Sequence, residues 1–108
     1  MFRILAAAVA CVIIAVVIAS CGSSQPTDPL VLGKKVYDKN CATCHGPAGQ
    51  GGIGPKLGGG RVVQRYPNAT DQTLVVVNGK GVMPAWGGIL SGDQIAAVVQ
   101  YEREKLGQ

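Results

Sequence analysis

The sequence predicts an all-α domain of short helices and one long glycine-rich loop, folded around a core that its own side chains do not fill. Three observations lead there. Capping residues and apolar spacing mark helices near both ends of the chain and one between them. Residues 46–60 (GPAGQGGIGPKLGGG) hold eight glycines and two prolines, a composition that neither helix nor strand survives. Beyond Cys21 the aromatic side chains are Tyr37, Tyr66, Trp86 and Tyr101, a thin supply for a small domain, which then needs a staple of another kind. A length of 108 residues allows one domain. These features exclude a disordered polar tail, a disulfide miniprotein and a large-core catalytic fold.

The chain opens with Met1-Phe2-Arg3, followed by 16 residues without a polar side chain, Ile4 to Ala19. A short cationic start, an apolar middle and small residues at the end describe a secretory signal peptide. The run falls just below the roughly 18 residues that would support a membrane-spanning helix. Ile18-Ala19-Ser20-Cys21 resembles the lipobox of bacterial lipoproteins, which implies cleavage before Cys21 and lipidation of its thiol and new amine. An uncleaved helix anchoring the domain directly is the other reading. Cys11, inside the apolar run, reads as a small hydrophobe. The expected organisation is a signal peptide over 1–20, a lipidated tether over 21–27 and a domain over 28–108. Cleavage leaves 88 residues, 108 less the leader's 20, and a charge of +3, because Arg3 leaves with the leader.

The tether segment Gly22 to Thr27 spans only ~20 Å even when extended at about 3.3 Å per residue, so it holds the domain near the bilayer. Asp28-Pro29 starts a helix, with Asp28 as N-cap and Pro29 at the first helical position. It runs to about Asn40, with Leu30, Gly33, Val36 and Tyr37 on one face. The glycine loop follows. Over 70–78 (TDQTLVVVN), β-propensity competes with a cap at Thr70 or Asp71 and a terminator at Asn78-Gly79; the helix is preferred. Gly81 to Leu90 is a loop. Ser91 and Gln94 form a capping box for a closing helix, about Gly92 to Leu106, whose buried side is Ile95, Val98, Val99 and Tyr101.

Cys41-Ala42-Thr43-Cys44-His45 carries the chemistry. C-x-x-C-H is the attachment pattern of a c-type haem: two thiols reach two vinyl groups on one porphyrin edge, and the next residue offers an imidazole to the iron. Zinc would need about four ligands, and only Cys41, Cys44 and His45 lie close in sequence. A thioredoxin-like pair expects a βαβ setting that this sequence lacks. A Cys41–Cys44 disulfide would close a very short loop and stabilise little. His45 is the only histidine, so a second axial ligand must be of another type. Met83, 38 residues on, is the only methionine outside the leader; glycines flank its loop and Pro84 follows it. A lone methionine is ordinarily core filler, but behind a haem motif it becomes the candidate sixth ligand.

With these residues the chain resembles the class I c-type cytochromes over about residues 28–106. The segment Asn78-Gly79-Lys80-Gly81-Val82-Met83-Pro84-Ala85-Trp86-Gly87-Gly88 is similar to the methionine loop of the cytochrome c6 and cbb3-oxidase subfamilies. The resemblance implies a cytochrome c fold wrapped round one covalent haem c, with first and last helices crossed through Gly33 and Tyr37 against Val98 and Tyr101. It implies that the carbonyl of Pro55 holds the ligand histidine and that Leu57 walls the haem. Arg61, Arg65, Tyr66, Lys80 and Trp86 are candidates to meet the propionates. The loop from Gly46 to Gly60 is richer in glycine than the c6 pattern and closer to subunit or dehydrogenase-linked domains.

With both axial positions filled, no vacant site is left for a substrate, so the expectation is an electron carrier and not an enzyme. Met/His ligation raises the reduction potential. The expected protein is extracytoplasmic and lipid-anchored to the cell membrane, exchanging single electrons with membrane-bound redox complexes of the oxidase, dehydrogenase or bc type. A fixed subunit of one such complex is an alternative, and a haem-based sensor with a displaceable Met83 is another. Lys56, Arg61, Arg65 and Lys80 outweigh Asp71 over 56–80, which favours an acidic docking partner. No basic cluster or stacking platform suggests nucleic acid.

Overall fold

The computed structural model describes residues 27–108, so the leader, Cys21 and all but the end of the tether lie outside the described residues. Five helices follow in order: α1 (Pro29–Asn40), α2 (Ala42–His45), α3 (Arg61–Arg65), α4 (Ala69–Asn78) and α5 (Gly92–Glu104). Among the described residues there is no strand, only an isolated bridge between Lys80 and Met83. No helix among them is long and apolar enough to cross a membrane.

The end helices begin where their caps predict. Asp28 Oδ1 accepts the Leu30 N–H at 2.9 Å, with Pro29 at the first turn. Ser91 Oγ accepts the Gln94 N–H at 3.1 Å, while Gln94 Oε1 accepts the Ser91 N–H at 2.9 Å. The two helices cross at Gly33: a Cβ there would run into the Ala97 carbonyl and stand 2.7 Å from Tyr101 Cβ. Beside the crossing, the Tyr37 and Tyr101 rings lie 5.7 Å apart, tilted by 52°. Val36, Tyr37, Cys41, Val98 and Leu106 form one buried cluster there, and Val76, Ile95 and Val99 form a second between α4 and α5.

The structure corrects several boundaries. The N-cap of α4 is Asn68, whose Oδ1 accepts the Thr70 N–H at 2.9 Å; Thr70 and Asp71 are already inside the first turn. The closing helix stops at Glu104, two residues early, because the N–H groups of Lys105 and Leu106 both return to the Tyr101 carbonyl and tuck the Leu106 side chain into the core. Two short helices were not anticipated. The turn α2, with Cys41 as its N-cap, carries the rest of the C-x-x-C-H residues, and α3 follows three glycines with no side-chain cap, held by the buried Val62. The glycine loop is fastened at both ends. Tyr37 Oη donates to the Gly46 carbonyl at 2.7 Å, and the Gly59 N–H donates to the Leu106 carbonyl at 3.0 Å.

Candidate functional site

The motif residues sit on one helical turn. Positions 41, 44 and 45 are related as i, i+3 and i+4, which puts their side chains on a single face. The turn is closed by N–H bonds from Cys44 and His45 to the Cys41 carbonyl, at 3.2 and 3.0 Å. That face looks into a cavity of about 400 Å³, within the size range of cofactor pockets. Cys41, Cys44, His45, Pro55, Leu57 and Met83 all line it, so the folded chain brings these six residues together. Val62, Val76 and Trp86 supply further apolar wall.

The His45 ring is 7% exposed and fixed from two sides. Its Nδ1 lies 2.8 Å from the Pro55 carbonyl, an acceptor, so Nδ1 carries the proton and Nε2 keeps its lone pair for a metal. Gly54 lies flat against the ring: a Cβ would stand 2.7 Å from Cε1, 2.8 Å from Nδ1 and 3.2 Å from Nε2. The Gly54 N–H in turn donates to the Cys44 carbonyl at 2.8 Å, tying the glycine loop to the motif turn. Burial, with smaller contributions from Glu102 and Cys44, pushes the Cys41 thiol up to about 12. A neutral, buried thiol is a poor redox nucleophile.

Met83 is presented by a tight turn in which Lys80 and Met83 exchange backbone hydrogen bonds at 3.2 and 3.0 Å. After it, the N–H groups of Trp86 and Gly87 donate to the carbonyls of Val76 and Val77 at 3.0 and 3.1 Å, fixing the loop to the end of α4. Met83 itself is half-buried against the Val76–Ile95–Val99 cluster. Of the residues considered for propionates, Arg65, Tyr66, Lys80 and Trp86 line the cavity, while Arg61 is exposed and directed to Gln64 Oε1.

One cavity residue was missed in the sequence. Glu102 is 5% exposed, lines the pocket, and accepts a 2.7 Å hydrogen bond from Gln72 Nε2. Burial pushes its carboxyl up to about 7, against a smaller downward pull from Gln72. The signal was there: Ile95, Val98, Val99 and Glu102 stand at i, i+3, i+4 and i+7 on one helix face.

This donor set fits a covalently held haem: two thiols on one turn, an imidazole with its proton already assigned, and a thioether sulfur from a second element on the same apolar cavity. The comparisons agree. Residues 29–101 match the family described as Cytochrome C oxidase, cbb3-type, subunit III. Cytochrome c6 of Tetradesmus obliquus is 42% identical over 77 residues, covering 67% of this chain and 85% of that one. The cbb3-type cytochrome c oxidase subunit CcoP of Azospirillum sp. (strain B510) is 36% identical over 88 residues, but this chain spans only 30% of it. The solved cytochrome c6C of Synechococcus sp. PCC 7002 superposes with a TM-score of 0.59 at 30% identity, covering 70% of this chain and 95% of that one. The chain spans about half the length of two solved cytochrome cL chains that it also matches.

Proposed function

The chain belongs to the monohaem class I c-type cytochromes, one-electron carriers and not enzymes, and on that premise we propose that it shuttles electrons between membrane-bound redox complexes from a lipid tether outside the cytoplasm. The observation that carries this reading is the convergence of Cys41, Cys44, His45 and Met83 on one cavity, with His45 Nδ1 committed to the Pro55 carbonyl. The bound haem supplies reversible exchange of one electron between the ferric and ferrous states. Cys41 and Cys44 would hold it through thioethers, and His45 Nε2 and the Met83 sulfur would be the donors to its iron. Leu57, Val62 and Val76 keep water from that centre.

Exchange needs an exposed edge and a surface to dock on. Two apolar cavity residues are conspicuously exposed, Ile53 at 78% and Val82 at 89%. Exposed Lys56, Arg65 and Lys80 stand near them in the chain, the last two on the cavity itself. An apolar spot with cations beside it suits a partner surface that is apolar at the centre and acidic around it. Residues 1–20 act as the signal peptide, and Cys21 carries the lipid.

A fixed place in an oxidase is the second reading, favoured by the match to the cbb3-type subunit family and to CcoP. Retention with one membrane complex through a high-salt wash separates a subunit from a shuttle. The central test is the intact mass of the protein made with cytochrome maturation machinery: parent mass less the leader, plus one haem and the acyl groups. Met83→Ala should remove the methionine–iron charge-transfer band and lower the potential; an unchanged ferric spectrum would remove Met83 from the iron.

A further inference from the structure

The buried acid of the cavity is not among the residues assigned above to hold a haem. Glu102 lies on the inner face of α5 and is the one buried carboxylic acid among the described residues; Asp28, Asp38, Asp71, Asp93 and Glu104 are all exposed. Its one hydrogen bond comes from a neutral amide, Gln72 Nε2. The adjacent cation is spent elsewhere: Arg103 donates to the carbonyls of Tyr66 and Pro67 and to Gln72 Oε1, at 2.7, 2.9 and 3.0 Å. The other neighbours do not supply a charge partner. From α1 and its C-cap come the neutral Tyr37 hydroxyl and Cys41, and from the end of α3 and its C-cap Arg65 and Tyr66 open on the same cavity without an ion pair to Glu102. Lys80, from the methionine loop, lines the cavity but is exposed.

A carboxylate in such a place lacks a fixed counter-charge, and its ionised form is costly. The charge that comes and goes in this pocket would be the single net positive charge of a ferric ring-iron centre, which neutral imidazole and thioether donors do not cancel and which reduction removes. We propose that Glu102 is a redox-linked proton site, so that this cytochrome carries a proton together with its electron. The inference rests on the haem reading of the pocket. When a donor protein delivers one electron, iron goes from ferric to ferrous and Glu102 takes one proton from water, forming an O–H bond at the carboxyl oxygen that Gln72 leaves unbonded. When the electron leaves for an acceptor, that O–H bond breaks and the proton returns to water. The carboxyl's position near neutrality puts this exchange within the working pH range.

The test is a potentiometric titration of the haem-loaded protein from pH 5 to 9, wild type against Glu102→Gln. In the wild type, the equilibrium constant for reduction should fall with rising pH, by up to tenfold per pH unit (about 59 mV for one electron), between two plateaus. Glu102→Gln should hold the acid plateau throughout. The second readout needs no variant. The chain has two glutamates, Glu102 and Glu104. With ¹³C-glutamate, the redox difference infrared spectrum should show a protonated carboxyl band growing in on reduction and shifting with the label. A coloured, methionine-ligated wild type with a flat potential, a slope retained by Glu102→Gln, or no labelled carboxyl band each overturns the proton site alone. A colourless protein overturns the haem reading with it.

Discussion

At the scale of single residues, the site depends on positions where a few atoms decide the outcome. Gly54 is one. Its backbone is in a region open to any residue, so Gly54→Ala adds only a methyl, and that methyl lands 2.7 to 3.2 Å from three atoms of the His45 ring. The ring must turn away from the Pro55 carbonyl. The expected result is a weakened axial bond, read as a high-spin fraction in the ferric spectrum and faster binding of imidazole or cyanide. Gly88→Ala, where an added methyl meets nothing within 4 Å, is the control and should change stability by less than about 0.5 kcal/mol. Glu102 makes a prediction of the opposite sign to an ordinary acid. Its folded value, about 7, stands above the ordinary glutamate value of 4.5, so the folded state binds more protons between them. Stability from this group is full below about 4.5 and is lost as the pH rises through about 7. Glu102→Gln removes that loss, so chemical denaturation at pH 8 should find the variant more stable than wild type by up to roughly 3 kcal/mol, and the two should converge by pH 4.5.

At the scale of elements, the crossing of α1 and α5 holds the ends of the chain together, and Gly33 permits it. Alanine at 33 would gain about 1 kcal/mol of helix propensity. Against that, its methyl meets the Ala97 carbonyl, which is helix backbone and does not swing aside. A methyl forced onto helix backbone belongs at the upper end of the about 1–3 kcal/mol that overpacking costs, so the net should be a loss of about 2 kcal/mol and a Tm lower by roughly 10 °C in a domain of this size. A thermal melt of the holoprotein checks it, and an unchanged Tm would show that the helices separate freely. The same elements explain what the sequence made legible. Local signals, such as Asp28 with Pro29 or Ser91 with Gln94, act within a few residues and could be read directly. Two short helices could not: α3 has no cap and exists because Val62 has a core to enter, and α2 is a single turn after Cys41. Asn68 is masked in the sequence by Thr70 and Asp71, also good caps, which stand close behind it. The charge of Glu102 argues for an exposed residue, while its spacing from Ile95, Val98 and Val99 places it inward; composition hides what periodicity shows.

At the scale of the whole molecule, charge decides how partners meet the site. Six of the exposed cations fall into two sets. Arg65 and Lys80 line the haem cavity, whereas Lys34, Lys35, Lys39 and Lys105 line a separate open groove along α1 and the C-terminal turn. Within that groove Lys34 is paired with Asp38, which leaves Lys35, Lys39 and Lys105 unpaired by any ion pair among the described residues. If electrons pass at the cavity mouth, only the first set should steer a reactant that must reach it. A small anionic oxidant such as ferricyanide isolates this effect from any partner's shape. Lys80→Glu should slow oxidation of the reduced protein several-fold at low ionic strength, within the range that steering commands. The difference should vanish toward 1 M salt, where the screening length falls to about 3 Å. Lys35→Glu makes the same change of net charge in the groove and should leave the rate nearly as it was. Stopped-flow traces across a salt series measure both. Equal slowing by the two variants would mean that the reagent responds to net charge alone, and that the apolar, cation-flanked mouth at Ile53 and Val82 has no special part in electron exit.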